Sequence, residues 1–218
     1  KWSNNAVVLN SENFMAKLQS SFMNMALSLT CIALVAAGAL AGVYMLTMAP
    51  IEAAMKAKQE AAIMQVLPEV EGLQVADAET VEGVTLYKAY VGEEWVGTAV
   101  EASTEGNTNM PFGGTFRLMV GFDKVGNVVN YVVLEQAETP GLGALMTAWF
   151  KNADKPGQNI LGKNPATTKF GVSKDGGDID AITASTITSR AFLNAVNNAY
   201  KVYKGNVSDV NSGATSQQ

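Results

Sequence analysis

Asp180-Ala181-Ile182-Thr183-Ala184-Ser185-Thr186-Ile187-Thr188-Ser189 runs directly into an apolar-periodic segment. Hydroxyls and one carboxylate crowd the start of a helix, where unpaired backbone N–H groups and the positive end of the macrodipole favour an anion such as a phosphate. The same residue types are ordinary helix caps, so the stretch alone supports a cap as well as an anion site. The helix that follows reads over Ser189 to Lys204, with Phe192, Val196, Ala199 or Tyr200, and Tyr203 on one face. Gly205 is expected just past its end. That apolar face ties the hydroxyl-rich turn to a core.

Upstream, residues 152 to 178 are rich in Gly, Lys, Asn and Pro and read as a long irregular connection, with Lys169 to Ser173 a short strand. Before it stands Glu138-Thr139-Pro140-Gly141-Leu142-Gly143, a tight turn with two glycines that lets backbone approach a ligand. Short strand-like runs at Thr85 to Val91, Trp95 to Ala102, Thr115 to Phe122 and Val128 to Glu135 predict strands. The last two flank Asp123-Lys124-Val125-Gly126-Asn127, which predicts a β-hairpin. Strands followed by a helix make the fold class α+β, with an antiparallel or mixed sheet packed by helices.

No charged residue occurs from Leu18 to Ile51, and Phe22 to Met48 would span about 40 Å as a helix. This predicts a single transmembrane helix. Gly38 and Gly42, four apart among alanines, offer a smooth face for another membrane helix. Lys17 before the span and Lys56 with Lys58 after it leave orientation undecided by charge. Pro50 is expected to break the run, and Glu52 to Val66 reads as an Ala-rich amphipathic helix ended by Pro68. Residues 1 to 14 show no periodicity, and Met15 reads as a natural start.

The expected organisation is therefore an N-terminal arm over 1–21 and a transmembrane helix over 22–48. An amphipathic helix and connector follow over 49–79, then a folded domain over 80–205 and a polar tail over 206–218. A net charge of −5 without a basic cluster argues against a nucleic-acid partner. With no histidine and one cysteine, Cys31, the chain cannot build a Ser-His-Asp triad, a haem His ligand or a Cys-ligated cluster by itself. Chemistry must come from a cofactor.

Asp180-x-x-Thr183-Ala184-Ser185-Thr186 resembles the Asp-x-x-(Ser/Thr)-Gly-Ala-Thr sequence that a flavin transferase reads in FMN-binding domains of membrane redox complexes. Together with Glu138 to Gly143, Phe112-Gly113-Gly114 and the membrane helix, it makes residues 15 to 204 similar to the RnfG family, the FMN-binding component of Rnf complexes, which are ion-translocating ferredoxin:NAD oxidoreductases. The resemblance implies a covalent FMN on Thr186 through a phosphoester, and Asp180 as a transferase-recognition residue. It also implies that Glu138, Thr139, Gly141, Leu142 and Gly143 approach the flavin or its ribityl chain, and that Thr183, Ser185 and Thr188 hold the phosphate end.

The resemblance further implies an electron carrier with no freely exchanging substrate of its own. Its partners would be other membrane subunits and, during maturation, a flavin transferase. It places the chain in the cytoplasmic (inner) membrane with the FMN domain on the extracytoplasmic, periplasmic side. Alternative readings are the equivalent FMN-bearing component of the sodium-translocating NADH:quinone oxidoreductase, and a non-enzymatic membrane-anchored interaction module. Ala184-Ser185 stand where the pattern has Gly-Ala, and Gln136 stands where the family often has His. Alanine does not tolerate positive φ as glycine does. Asp209 to Thr215 fits the transferase pattern even better than the internal stretch, which makes Thr215 a rival attachment site. Thr186 ranks first because an apolar helix follows it.

Overall fold

The computed structural model describes residues 22–81, 83–104 and 115–211, with 206–211 described by their backbone alone. Residues 1–21, Phe112 to Gly114 and Thr215 lie outside the described residues. The chain divides into two compact units, Lys1–Ala53 and Ala54–Gln218.

Helix α1 (Phe22–Val66), whose residues up to Ala53 are the described part of the first unit, is long and apolar enough to cross a membrane, the only such helix among the described residues. All its side chains through Lys58 are exposed, so none of the described residues covers this surface. Its serine and threonine hydroxyls are turned back onto the helix. Ser28 donates to the Met25 carbonyl at 3.0 Å, Thr30 to Ala26 at 2.8 Å and Thr47 to Val43 at 2.9 Å. An apolar medium requires this, because an unpaired hydroxyl there has no water to turn to. A Cβ added at Gly38 or Gly42 would meet nothing within 4 Å, and Cys31 is exposed.

The expected break at Pro50 is not present: helix α1 continues through it to Val66. A proline removes one backbone donor and crowds the carbonyl four residues back. The Ala-rich sequence on its C-terminal side keeps the remaining ladder intact, and helix propagation is cooperative.

The second unit is built on a six-stranded antiparallel sheet. Its strands are β1 (Leu73–Val75), β2 (Glu79–Val81), β3 (Val84–Val91), β4 (Glu94–Ser103), β5 (Arg117–Asp123) and β6 (Val128–Glu135). Spatial order is β1-β3-β4-β5-β6, with β2 also paired to β3. The predicted hairpin is β5–β6: the Asp123 carboxylate accepts from the Val125 and Asn127 N–H groups at 2.8 and 2.9 Å. Gly126, at φ +91°, supplies the left-handed residue that the turn needs.

Alternation along the strands sends residues to two cores. Val100, Leu118, Val120, Phe122, Val128 and Tyr131 face the larger core, which is closed by helix α3 (Thr186–Asn211). A short helix α2 (Met146–Trp149) precedes it in the chain. Phe192 of α3 packs between Phe150, at 4.4 Å between ring centroids, and Tyr131, at 4.8 Å. Ala99 and Met119 face the opposite way, onto Ala62, Ile63, Val66 and Leu67 at the end of α1. Gly121 makes that contact possible, since a Cβ there would lie 1.7 Å from the Val66 carbonyl oxygen.

Helix α3 starts three residues earlier than periodicity predicts and runs past Gly205 to Asn211. Glycine ends a helix only when a left-handed residue is needed, and Gly205 does not take positive φ. The strand expected over Lys169 to Ser173 is reduced to one bridge between Val172 and Ile179.

Candidate functional site

Thr186 is the first residue of the 26-residue helix α3. Just before it, Ala184 sits at φ +60°, the one non-glycine residue at positive φ among those described. The backbone there takes the left-handed conformation that glycine adopts freely and alanine does not. The turn is held from inside by Ser189. Its hydroxyl donates to the Ser185 carbonyl at 2.9 Å and accepts from the Ile182 N–H at 2.9 Å. The Ser185 N–H donates to the Ile182 carbonyl at 3.0 Å. This internal bracing is what lets an alanine occupy a strained position.

The turn forms one wall of an open groove of about 430 Å³. Asp180, Ala181, Thr183, Ala184 and Thr186 line that wall, while Trp149, Lys155, Gln158, Ser173 and Lys174 complete it. A volume of this order suits a small cofactor. Asp180 is held at several points. Its N–H donates to the Gly157 carbonyl at 2.7 Å, its carbonyl accepts from Trp149 Nε1 at 3.0 Å, and its Oδ1 accepts from Ser173 Oγ at 3.0 Å. Gly157 leaves room for the other oxygen, because a Cβ there would lie 2.4 Å from Asp180 Oδ2.

Lys174 sits in a short 3-10 turn, Ser173–Asp175, which is pinned to α3 by a bidentate pair. Arg190 Nε and Nη2 meet Asp175 Oδ2 and Oδ1 at 2.6 and 2.8 Å. The guanidinium, chiefly through this hydrogen bonding, holds the Asp175 carboxyl below its ordinary pKa.

The Glu138 to Gly143 turn packs against the far side of the same helix start. Glu138 is buried, and its N–H donates to Gln136 Oε1 at 2.7 Å. Thr139 closes the turn with its carbonyl, which accepts from Leu142 N–H at 3.1 Å and Ala144 N–H at 3.3 Å. Gly141 takes φ +76°. A Cβ at Gly143 would lie 2.2 Å from Glu138 Oε2 and 2.9 Å from Thr188 Oγ1, so the carboxylate and the Thr188 hydroxyl both sit against that glycine.

The fold therefore brings the two sequence motifs together at one helix start. Asp180, Thr183 and Thr186 line the groove, Ser185 and Thr188 are buried behind it, and Thr139, Gly141 and Leu142 are exposed on the neighbouring turn. Lys155, Gln158 and Lys174 are not legible in the sequence because they stand in an irregular connection, where no period marks which side chains converge.

The segment that builds this site and the N-terminal helix are both similar to known proteins. The family model described as "FMN-binding domain" matches residues 112–201, and the one described as "RnfG N-terminal region" matches residues 15–66. The G component of the ion-translocating oxidoreductase complex of Escherichia coli (strain K12) is 34% identical over 172 residues, covering 74% of this chain and 81% of that protein. The chain belongs to the RnfG family, the G components of ion-translocating oxidoreductase complexes.

The RnfG-family proteins of Yersinia pestis and Salmonella typhimurium are 36% and 39% identical over 118 and 104 residues. With these two the match spans about half of each relative's length, 53% and 48%. The FMN-binding match contains every groove residue as well as Glu138 to Gly143. The groove suits a flavin nucleotide chemically. Lysine amines and the free N–H groups of a long helix suit a phosphate, and Thr186 offers a hydroxyl beside them.

Proposed function

We propose that this chain is the membrane-anchored, electron-carrying component of an ion-translocating ferredoxin:NAD oxidoreductase complex, bearing FMN through a phosphoester on Thr186 Oγ. One observation carries this reading: Thr186 opens α3 on the wall of a groove that also holds Asp180, Thr183 and two lysines, inside the stretch matched as an FMN-binding domain. When bound, FMN supplies the electron-transfer chemistry, and the protein supplies position and electrostatics.

Thr183 and the α3 N-terminus hold the phosphate end, with Ser185 buried beneath them. Thr188 keeps the Glu138 to Gly143 turn in place, and Thr139, Gly141 and Leu142 face the ring or the ribityl chain from that turn. Asp180, exposed and oriented by Ser173 and Gly157, is the carboxylate that a flavin transferase reads during maturation. Helix α1 anchors the domain on the extracytoplasmic side of the cytoplasmic membrane, among other membrane subunits of the complex. The chain turns over no substrate on its own.

The test is peptide mass spectrometry after coexpression with a flavin transferase. Trypsin separates residues 175–190 from residues 205–218. An FMN adduct is expected on the first peptide and should be lost in Thr186→Val. An adduct confined to the second would move the flavin to Thr215, and no adduct on either, with an active transferase, would overturn the covalent reading.

A further inference from the structure

Helix α1 belongs to both compact units: their division falls between Ala53 and Ala54, inside the helix. A continuous α-helix is a stiff connector, because each turn is tied to the next by backbone hydrogen bonds. Stiffness is lost where those bonds are missing or shared and where no neighbour braces the turn. Both conditions coincide just before the division.

Pro50 carries no N–H, so the Leu46 carbonyl loses the donor that a helix supplies four residues on, and the proline ring crowds that same carbonyl. One turn earlier the Thr47 hydroxyl reaches back to two more carbonyls, donating to Val43 at 2.9 Å and to Tyr44 at 3.4 Å. A hydroxyl bonded in this way competes with the backbone donors of those carbonyls and favours bending. Three of the four carbonyls from Val43 to Leu46 therefore lack a full helical bond of their own.

Every side chain from Ala49 to Ala57 is exposed. Support begins abruptly after them. Lys58 bonds the Leu134 carbonyl, Gln59 donates to the Tyr87 hydroxyl and the Glu101 carboxylate, and Ala62, Ile63, Val66 and Leu67 are buried against the sheet. The end of α1 is thus part of the folded second unit, while the weakened turn before it is braced by none of the described residues.

We propose that Pro50 is a hinge in α1, at which the second unit turns as a body while Lys58 to Leu67 stay clamped on the sheet. The hinge is built into the backbone and needs no flavin. Its use, to turn the groove toward one redox partner and then another, rests on the electron-carrier reading.

The experiment uses the full chain as Lys201→Cys in phospholipid nanodiscs, with nitroxide labels on that cysteine and on Cys31, which is exposed and the only native cysteine. Lys201 is an exposed residue of α3, which packs on the opposite face of the sheet from the end of α1. A label there stands to the side of the helix axis, so a turn at Pro50 changes its distance to Cys31. Pulsed electron–electron double resonance should give a broad distance distribution that Pro50→Ala narrows about twofold, since alanine restores both the donor and the space. A second pair, Ala57→Cys with Lys201→Cys in a Cys31→Ala chain, should give a narrow distribution that Pro50→Ala leaves unchanged.

Equal widths for the Cys31 pair with proline and with alanine would overturn the hinge. A second pair as broad as the first would overturn it too, because the motion would then lie in the clamp on the sheet. Narrowing in Pro50→Ala in a chain that takes no FMN adduct keeps the hinge while the attachment reading fails. An adduct on a chain whose distribution ignores Pro50 does the reverse.

Discussion

At Ala184 the chain accepts a conformation that its side chain opposes. A non-glycine residue in the left-handed region costs about 1–2 kcal/mol, part of which glycine returns as extra unfolded-state entropy. Ala184→Gly is therefore expected to stabilise the domain by about 1 kcal/mol, read as a higher midpoint in a denaturant titration. A lower midpoint would mean that the alanine methyl makes packing contacts outweighing the strain. The substitution also matches the glycine of the transferase pattern, so flavin attachment should be at least as complete as in the unsubstituted chain. Glu138 makes the complementary point: a carboxylate that reads in sequence as part of a turn is buried against Gly143 and beside Thr188.

Two elements carry the strongest consequences, the end of α1 and helix α3. Gly121 of β5 lies under Val66, and any side chain there meets backbone rather than a flexible tip. Gly121→Ala should destabilise the domain by about 3 kcal/mol or more, as overpacking against main chain does. An unchanged denaturation midpoint would show that the helix end can lift from the sheet at little cost.

Around this contact lies a polar seam. Gln59 Nε2 donates to Glu101 Oε2 at 2.7 Å and to the Tyr87 hydroxyl at 3.0 Å, while Arg117 Nε donates to Glu101 Oε1 at 2.8 Å. Lys58 adds a hydrogen bond to the Leu134 carbonyl. The seam fixes which residues of α1 face the sheet.

On α3, the Tyr203 hydroxyl donates to the Asp123 carbonyl at 2.7 Å, and burial is the main cause that pushes its pKa from 10.0 up to about 12. Because the folded value is raised, the stabilisation is complete below about pH 10 and is lost as pH rises toward 12. Stability should fall by about 1–2 kcal/mol over that window. Tyr203→Phe should flatten the fall, as read from urea midpoints across the series. A fall of the same depth in that variant would assign the alkaline loss to other groups, Tyr131 first, since burial raises its pKa as well.

For the molecule as a whole, the second unit holds both cores and the groove. A protein of residues 54–218 should therefore fold in water without the membrane span, with a single cooperative unfolding transition. Loss of cooperativity or aggregation without detergent would show that the span contributes to the domain's stability. Sidedness is a separate prediction. A reporter active only outside the cytoplasm, fused after residue 211 of the full chain, should be active, and a cytoplasm-dependent one should be silent. The opposite pattern would place the groove inside the cell and exclude an extracytoplasmic flavin.

The amino-acid sequence by itself determined what depends on local pattern. A charge-free run makes the span, short runs rich in β-branched and aromatic residues between turn residues make β3 to β6, and a 3.6-residue period makes α3. The hydroxyl-rich helix start and the Glu138 to Gly143 turn were likewise legible as motifs. Element ends were less so: α1 passes through Pro50 and α3 through Gly205, because packing and helix cooperativity outweigh a single residue's preference. The short strands β1 and β2 carry too few residues to show a period. Only tertiary structure decided that Ser185 and Thr188 turn inward while Thr183 and Thr186 face the groove. It alone brought Lys155, Gln158 and Lys174 from an irregular connection to the same wall. Periodicity records which way a side chain points from its own element, whereas convergence on a ligand depends on how distant segments cross.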